Sequence, residues 1–380
     1  MVTQIVILGG HIQALGLVRQ AKAKGITVYL IIKDGFSVAR FSRDVDRVFV
    51  CKDNQELKNL LNTIKGKDVF LFPTSDDYID YIVQNYETLN RSFTLALPSK
   101  DIVQLFADKR LTYQFAKEKG ISHPQSYYPT SESDVKMIAD EVSYPVVLKP
   151  AIMFSFHKRF GKKAFLCPDK AALIERVNLI GKSFPISQLI IQEFLSGGPK
   201  QLYSYGVFAV HGEPKASITV NRIRQNPMDF GNSTTFAITC SIPEIEKTAC
   251  DILHLTNYSG LAEIEFMYHN GEYRFLEVNT RAWKWHAISI GRGFGFLSNW
   301  VDYLNGKALS NGNDYSPVCW QERLTDWYIV VKEVLKGNLS LKEVLDLRKG
   351  RKVYAVWSSR DPLPAIMYVL LSPILYFKRH

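Results

Sequence analysis

The chain has 380 residues, enough for two or three domains, and its 46% hydrophobic and 22% charged content fits a soluble globular protein rather than a disordered or fibrous one. Five scattered cysteines without a C-x-x-C pair, and eight histidines without an H-E-x-x-H or H-x-x-x-H cluster, argue against a disulfide framework, a zinc ribbon or a transition-metal site. A net charge of +10 admits an anionic membrane surface or polyanionic small molecules such as nucleotides, while the lack of a basic arm, an RNP-like motif or a helix-turn-helix pattern sets nucleic acid aside.

The start, "MVTQIVILGG", has no basic n-region or cleavage site and reads as a mature cytosolic N-terminus. Residues 1 to about 100 alternate strand and helix. "QIVILGG" is a buried strand, "QALGLVRQAKAKG" an amphipathic helix, "TVYLIIK" a second strand and "DVFLFPTSDD" a later one. This rhythm predicts a doubly wound parallel sheet. The turn "GGHIQALG" invites a nicotinamide-cofactor reading, but His11 and Ala14 stand where G-x-G-x-x-G needs glycines, so it reads as a plain strand-to-helix turn.

From Asp101 the rhythm changes. "KDIVQLFADKRLTYQFAKEKG" predicts one or two helices, with a further helix near 131–141. The strands "YPVVLKP" and "AFLCPD" flank a basic, aromatic stretch, "AIMFSFHKRFGKK". A helix over 169–181 leads to the strand "SQLIIQEFL", then a hairpin turning at His211-Gly212 and a helix over 243–257. "GKS" at 181–183 is no phosphate loop, because Arg176 occupies the first glycine position and the upstream segment reads as helix.

The segment "AEIEFMYHNGEYRFLEVNTRAW", residues 262–283, concentrates negative charge inside two strand-like runs around Asn270-Gly271, a strong hairpin signal. A plain two-residue loop would put Glu265 and Glu277 on opposite faces. A three-residue loop, or one bulge, pairs them directly and also sorts the side chains. Ile264, Phe266, Leu276 and Val278 then share an apolar face, and Glu263, Glu265, Glu277 and Asn279 a polar one. Like charges directly opposite destabilise a sheet unless neutralised. Converging hard oxygen ligands suit Mg²⁺, which keeps company with phosphates, whereas the bland alternative is exposed glutamates bridged by lysines.

E-x-F, a hairpin and E-x-N-x-R resemble the metal-binding signature of the ATP-grasp superfamily, represented here by Glu265, Glu277, Asn279 and Arg281. Further motifs follow that family's order. Lys109 in "ADKRLTYQFAKEKGI" matches the first ATP-binding lysine, Lys149 in "YPVVLKP" the second, and "IIQEFL" the hinge strand. There the resemblance implies that Glu193 faces the adenine amino group and the Phe194–Leu195 backbone its ring edge. "RIRQNPMDFGNSTT" and "NTRAWKWHAISIG" resemble the carboxylate–amine ligase or carboligase branch more specifically.

The resemblance implies an α/β protein with a Rossmann-like domain over 1–100, an ATP-grasp domain of two α+β subdomains over 101–305, and a short helical C-terminal segment over 306–380. It also implies an ADP-forming ligase that phosphorylates a carboxylate for attack by an amine, using ATP and one or two Mg²⁺ ions, with Mn²⁺ as a substitute. Glu265, Glu277 and Asn279 would hold the metal, and Arg281 and Arg222 would clamp the transferring phosphoryl group. A nucleotide-binding module without turnover is the alternative.

The chain departs from the family at two places. "FSFHKRFGKK" replaces a small-residue loop, bringing His157, Lys158, Arg159 and Lys163 as candidate phosphate contacts, and "SGGPKQ" after the hinge lacks the usual ribose-binding acid. Trp283 and His286 read as packed structural residues. The apolar run 365–377, with Pro373 inside and Lys378-Arg379 after it, is too short to span a bilayer. It reads either as a weak peripheral membrane anchor or as a helix docked on the body or on a second subunit of a homodimer.

Overall fold

The computed structural model describes every residue except 153–155, 157–158, 229–232, 311, 313–315, 347–349 and 380, and no side chain of 346 or 374–379. Of the basic-loop candidates, His157 and Lys158 therefore lie outside the described residues.

The first hundred residues build a five-stranded parallel sheet in the order β3-β2-β1-β4-β5. In chain order its elements are β1 (Gln4–Leu8), α1 (Ile12–Ala23), β2 (Thr27–Ile32), β3 (Arg47–Val50), α2 (Asn54–Thr63), β4 (Val69–Pro73), α3 (Asp76–Gln84), α4 (Tyr86–Ser92) and β5 (Thr94–Leu95). The central strands β1 and β4 are near-continuous apolar runs because helices cover both faces of such a sheet. Asp53 starts α2 by accepting from the Gln55 and Glu56 amides. The "GGH" turn is filled by the chain itself. Gly9 has φ +104°, and a Cβ there would lie 2.3 Å from Thr74 Oγ1. A Cβ on Gly10 would meet the Ser37 side chain at 2.4 Å, which leaves no cradle for a dinucleotide.

Helices α5 (Lys100–Ala107) and α6 (Lys109–Glu118) follow. They are separate because Asp108 turns the chain extended and caps α6 through the Arg110 amide, so that Lys109 becomes the first residue of the second helix. A four-stranded antiparallel sheet comes next, with β6 (Ser126–Tyr127), β7 (Val146–Pro150), β8 (Phe165–Cys167) and β9 (Leu189–Glu193) ordered β6-β9-β7-β8. Helices α7 (Glu132–Glu141) and α8 (Lys170–Gly181), started by Ser131 and Asp169 caps, share an apolar core with this sheet.

The third sheet has seven strands, ordered β14-β13-β10-β11-β12-β15-β16. They are β10 (Leu202–Val210), β11 (Glu213–Asn226), β12 (Ser233–Cys240), β13 (Gly260–His269), β14 (Glu272–Asn279), β15 (Val318–Gln321) and β16 (Arg351–Tyr354). The accompanying helices are α9 (Pro243–Leu255), α10 (Phe296–Leu304), α11 (Arg323–Leu335), α12 (Leu341–Asp346) and α13 (Leu363–Arg379). The helices expected in the C-terminal segment are present. Two short strands that periodicity does not announce, β15 and β16, accompany them and extend the sheet, β15 antiparallel to β12 and β16 parallel to β15.

One core joins the first and third sheets. Ile5, Ile7, Phe70 and Phe72 pack in the same cluster as Phe208, Trp283, Trp285 and Trp320. His286 bolts this junction. It is fully buried, its Nε2 lies 3.0 Å from the Gln13 carbonyl and its Nδ1 3.3 Å from Gln20 Nε2. The ring therefore donates from Nε2 and accepts at Nδ1. Gly16, the last glycine of the tempting turn, is small because a Cβ there would sit 2.7 Å from that ring.

Candidate active site

The site grows from the hairpin β13–β14. Asn270 and Gly271 both have positive φ, 50° and 89°, and make a two-residue turn that pairs His269 with Glu272. The extra residue enters further on. Pairing shifts between Glu265 and Phe266, after which Glu265 faces Glu277 and Glu263 faces Asn279. The expected bulge is thus realised within β14, not as a longer turn. One side chain moves as a result. Leu276, expected on the apolar face, is the bulged residue and half-buried, while the fully buried Phe275 takes its place opposite Phe266. The freed Leu276 carbonyl accepts from Tyr113 Oη at 2.8 Å.

Two of the chain's own cations lie on the paired carboxylates. Lys109 Nζ contacts Glu277 Oε2 directly, and Arg222 Nη1 lies 2.5 Å from Glu265 Oε2 and 3.9 Å from Glu263 Oε1. Asn279 Nδ2 bridges Glu263 and Glu265 at 3.2 and 3.0 Å, and Trp285 Nε1 donates to Glu263 at 2.7 Å. The Lys109 charge, helped by Lys163 and Lys149, holds the Glu277 carboxyl down at about 2. Burial, reinforced by the neighbouring Glu265 charge, pushes Glu263 up to about 7. Burial would lower the Lys109 ammonium, but Glu277 outweighs it and the pKa rises.

Lys149 and Lys163 differ from Lys109. Lys149, on β7, donates to Gln192 Oε1 at 2.6 Å and Tyr113 Oη at 3.1 Å. Among the described residues, neither Lys149 nor Lys163 makes an ion pair. Burial lowers both pKa values, although Glu277 pulls each one up. Two half-buried ammonium groups with no ion pair among the described residues, beside a carboxylate pair, form a surface suited to an anion and a metal together.

Arg281 reaches the site from the end of the motif but is engaged across the cleft. Its Nε lies 2.6 Å from Asp76 Oδ1 and its Nη2 3.3 Å from Oδ2. Desolvation in the cleft opposes each charge, yet the pairing wins, raising Arg281 and lowering Asp76, whose side chain stays exposed. Asp76 opens α3 directly after β4, so the parallel sheet contributes a residue from the carboxyl end of a strand. Glu193 ends β9. Its Oε2 accepts from the Gln125 amide at 3.1 Å, and its Oε1 lies 4.0 Å from His269 Nε2. The chain leaves the ladder after Glu193, with Phe194 half-buried and Leu195 buried.

The structure therefore gathers Lys109, Lys149, Arg222, Glu265, Glu277, Asn279 and Arg281 around one hairpin face, with Glu193 at the end of the neighbouring sheet. Trp283 and His286 stay in the core. Asp76, Tyr113 and Gln192 join the cluster without having been singled out from sequence. Only Asp76 left a trace there, as an acid straight after a buried parallel strand. Among the described residues no three His, Cys, Asp or Glu side chains group as a metal site. The donor set of two carboxylates and an amide is nonetheless all hard oxygen, and the two cations already on it show that it demands positive charge.

Residues 108–292 match a family model described as carbamoyl-phosphate synthase L chain, ATP binding domain. Among curated proteins, the Pseudomonas aeruginosa biotin carboxylase is 26% identical over 239 residues, covering 59% of this chain and 51% of that protein. The Campylobacter jejuni carbamoyl phosphate synthase large chain is 24% identical over 203 residues, 48% of this chain and 17% of that one. The chain thus spans about half or less of the curated relatives it matches.

Solved structures agree in fold. The Staphylococcus aureus N5-carboxyaminoimidazole synthetase complexed with ADP superposes with a TM-score of 0.68 at 15% identity, covering 88% of this chain and 86% of that one. The Hydrogenobacter thermophilus 2-oxoglutarate carboxylase biotin carboxylase domain, solved as a dimer with MgADP, ADP and bicarbonate, gives 0.65 at 17% identity over 83% and 73%. Fold, motif order and family model agree for residues 108–292, which carry an ATP-binding domain of the ATP-grasp kind, similar to those of the carboxylate–amine ligase and carboligase branch.

Proposed function

We propose that the protein is an ATP- and Mg²⁺-dependent, ADP-forming ligase that activates a small-molecule carboxylate as an acyl phosphate for attack by an amine. Residues 101–305 form the ATP-grasp domain in this reading, with 1–100 in front of it and 306–380 behind. The observation that carries it is the pairing of Glu265 with Glu277 on one face, beside two half-buried lysines that make no ion pair among the described residues. Proteins named for related chemistry share the fold, and one of them was solved with MgADP and bicarbonate.

Lys109, Lys149 and Lys163 supply charge for the phosphates, and Glu193 with the Phe194–Leu195 backbone receives the base. Glu265, Glu277 and Asn279 would hold one or two Mg²⁺ ions, or Mn²⁺. The metal's contribution is to neutralise charge on the β- and γ-phosphates. A carboxylate oxygen attacks the γ-phosphorus and its bond to the β-phosphate oxygen breaks, releasing ADP. The amine nitrogen then attacks the acyl carbon, the C–O bond to phosphate breaks, and the amine loses a proton. Arg222 and Arg281 stand on the same polar face as cations for the transferring group. Arg222 Nη1 is held by Glu265, and its buried Nε makes no hydrogen bond among the described residues. No protein nucleophile is required.

Incubation with ATP, Mg²⁺ and pools of carboxylic acids and amines tests the reaction. ADP and phosphate released only with both pools fit the ligase. AMP and pyrophosphate, or tight nucleotide binding with no turnover under any pool, contradict it. A homodimer belongs to the same reading, and sedimentation equilibrium measures it.

A further inference from the structure

Helix α13 (Leu363–Arg379) presents two faces of different fate. Pro364 is buried, and Ala365 and Tyr368 pack against the core shared by the first and third sheets, where the helix rests on the 3₁₀ turn Val38–Phe41. The opposite stripe is open. Leu363, Ile366, Val369 and Leu370 are 48%, 50%, 56% and 64% exposed, so close to half or more of each lies in water. Their spacing of three, three and one sets them on one side of a helix. In sequence the apolar run continues through Ile374-Leu375-Tyr376-Phe377 before Lys378-Arg379.

Charge indicates what this stripe meets. Asp361, just before the helix, is buried, paired with Arg19 at 3.1 Å and bonded to Ser42 Oγ at 2.7 Å, and no acidic residue follows it in the chain. Arg360 and Arg43 are exposed at the start of the helix, where the Arg43 amide donates to Asp361 Oδ1 at 3.2 Å. Basic residues thus bracket an acid-free aliphatic stripe, on a chain of net charge +10. A second copy would bring the same cations against this helix with no acid in it to meet them. Among the described residues no helix is long and apolar enough to cross a membrane. An anionic lipid surface satisfies both features, taking the aliphatic side chains among its acyl chains and the cations at its headgroups.

We propose that the outer face of α13 docks the protein peripherally on anionic membrane. The docking is independent of the ligase reading and holds whether or not the cleft turns over ATP. The test is co-sedimentation of the full chain with vesicles of phosphatidylcholine alone or with added phosphatidylglycerol, at low and high salt. The comparison variant is Ile366→Glu/Val369→Glu/Leu370→Glu, whose positions lie on the exposed stripe and leave the packed face intact. The wild type should bind the anionic vesicles, lose binding with salt, and exceed the variant by at least about tenfold, with unchanged Tm and unchanged mass in solution. Binding that is negligible in the wild type, or equal in the two proteins, overturns the proposal. A wild-type dimer that the variant converts to monomer also overturns it, giving the stripe to a second copy.

Discussion

Arg222 and Arg224 stand two residues apart on β11, yet they belong to different kinds of site. A shift in pairing between Asn221 and Arg224 sends them to opposite faces of the sheet. On the back face Arg224 holds Asp326 of α11 through two bonds of 2.7 and 2.8 Å. The same carboxylate accepts from Thr235 Oγ1 at 3.0 Å and Gln321 Nε2 at 2.7 Å, while the Phe236 ring lies 4.2 Å from the guanidinium. One guanidinium there meets one carboxylate, and only Arg224 Nη1 is left without a hydrogen-bond partner among the described residues. On the cleft face Arg222 lies among three carboxylates, and the half-buried Lys149 and Lys163 feel the Glu277 charge without making an ion pair among the described residues. A buried cation matched one to one by a carboxylate is structure, whereas several cations and carboxylates crowded on one face leave room for a ligand.

The contrast breaks if the two faces respond alike to loss of one carboxylate. Glu277→Gln should lower Mg²⁺-dependent ATP turnover by about 10³-fold or more while the protein folds normally, because charge stabilisation of phosphoryl transfer is lost. Asp326→Asn should do the reverse. It strands Arg224 and costs about 3–5 kcal/mol of stability, with activity per folded molecule retained. Steady-state kinetics and denaturant titration on both variants give the answer. Equal loss of stability in the two would remove the distinction between the faces.

A finer comparison lies within the cleft. Lys109 is already neutralised by Glu277 and Lys149 is not, so Lys149→Ala should weaken ATP binding by about 10–100-fold and Lys109→Ala by less. Arginine at either position should rescue poorly, since a planar fork does not reproduce a compact ammonium. Because burial lowers the Lys149 pKa, nucleotide affinity should start to fall with rising pH below the ordinary lysine range, and Lys149→Ala should lack that arm. Calorimetry across pH reads both effects. Unchanged affinity in both alanine variants would contradict the assignment.

The smallest expected effect is at the junction between sheets. His286 is pulled down to about 4 by burial, against an ordinary value near 6.5. Its folded pKa is the lower one, so the unfolded chain takes up the proton first. The stability it confers is complete above about pH 6.5 and is lost as pH falls towards 4, amounting to about 3 kcal/mol at most. His286→Asn should flatten the decline between pH 6.5 and 4. An equally steep decline in the variant would assign the acid sensitivity elsewhere.

Most of the cleft was legible because its signals are local. Alternation in residues 262–279 sorted apolar from polar side chains and so set the register that pairs Glu265 with Glu277, and the glycines of "GGHIQALG" that invite a cofactor are there for packing, Gly9 against Thr74 and Gly16 against His286. What was not legible depends on distance along the chain or on one residue of backbone irregularity. The partner of Arg281 is Asp76, 205 positions away. The bulge at Leu276 moved Phe275 onto the apolar face because a pattern fixes how many residues must be absorbed but not where. Strands β15 and β16 have four residues each, too short for periodicity to separate from loop.

The central claim is that the polar face of β13–β14 takes metal and nucleotide together. Titrating ATP into the wild type and into Glu265→Gln/Glu277→Gln, each with Mg²⁺ and with chelator, tests it most directly. The account predicts tight binding by the wild type that depends on Mg²⁺, and weaker binding by the variant that is indifferent to it. Wild-type affinity that is the same with Mg²⁺ and with chelator would contradict the account.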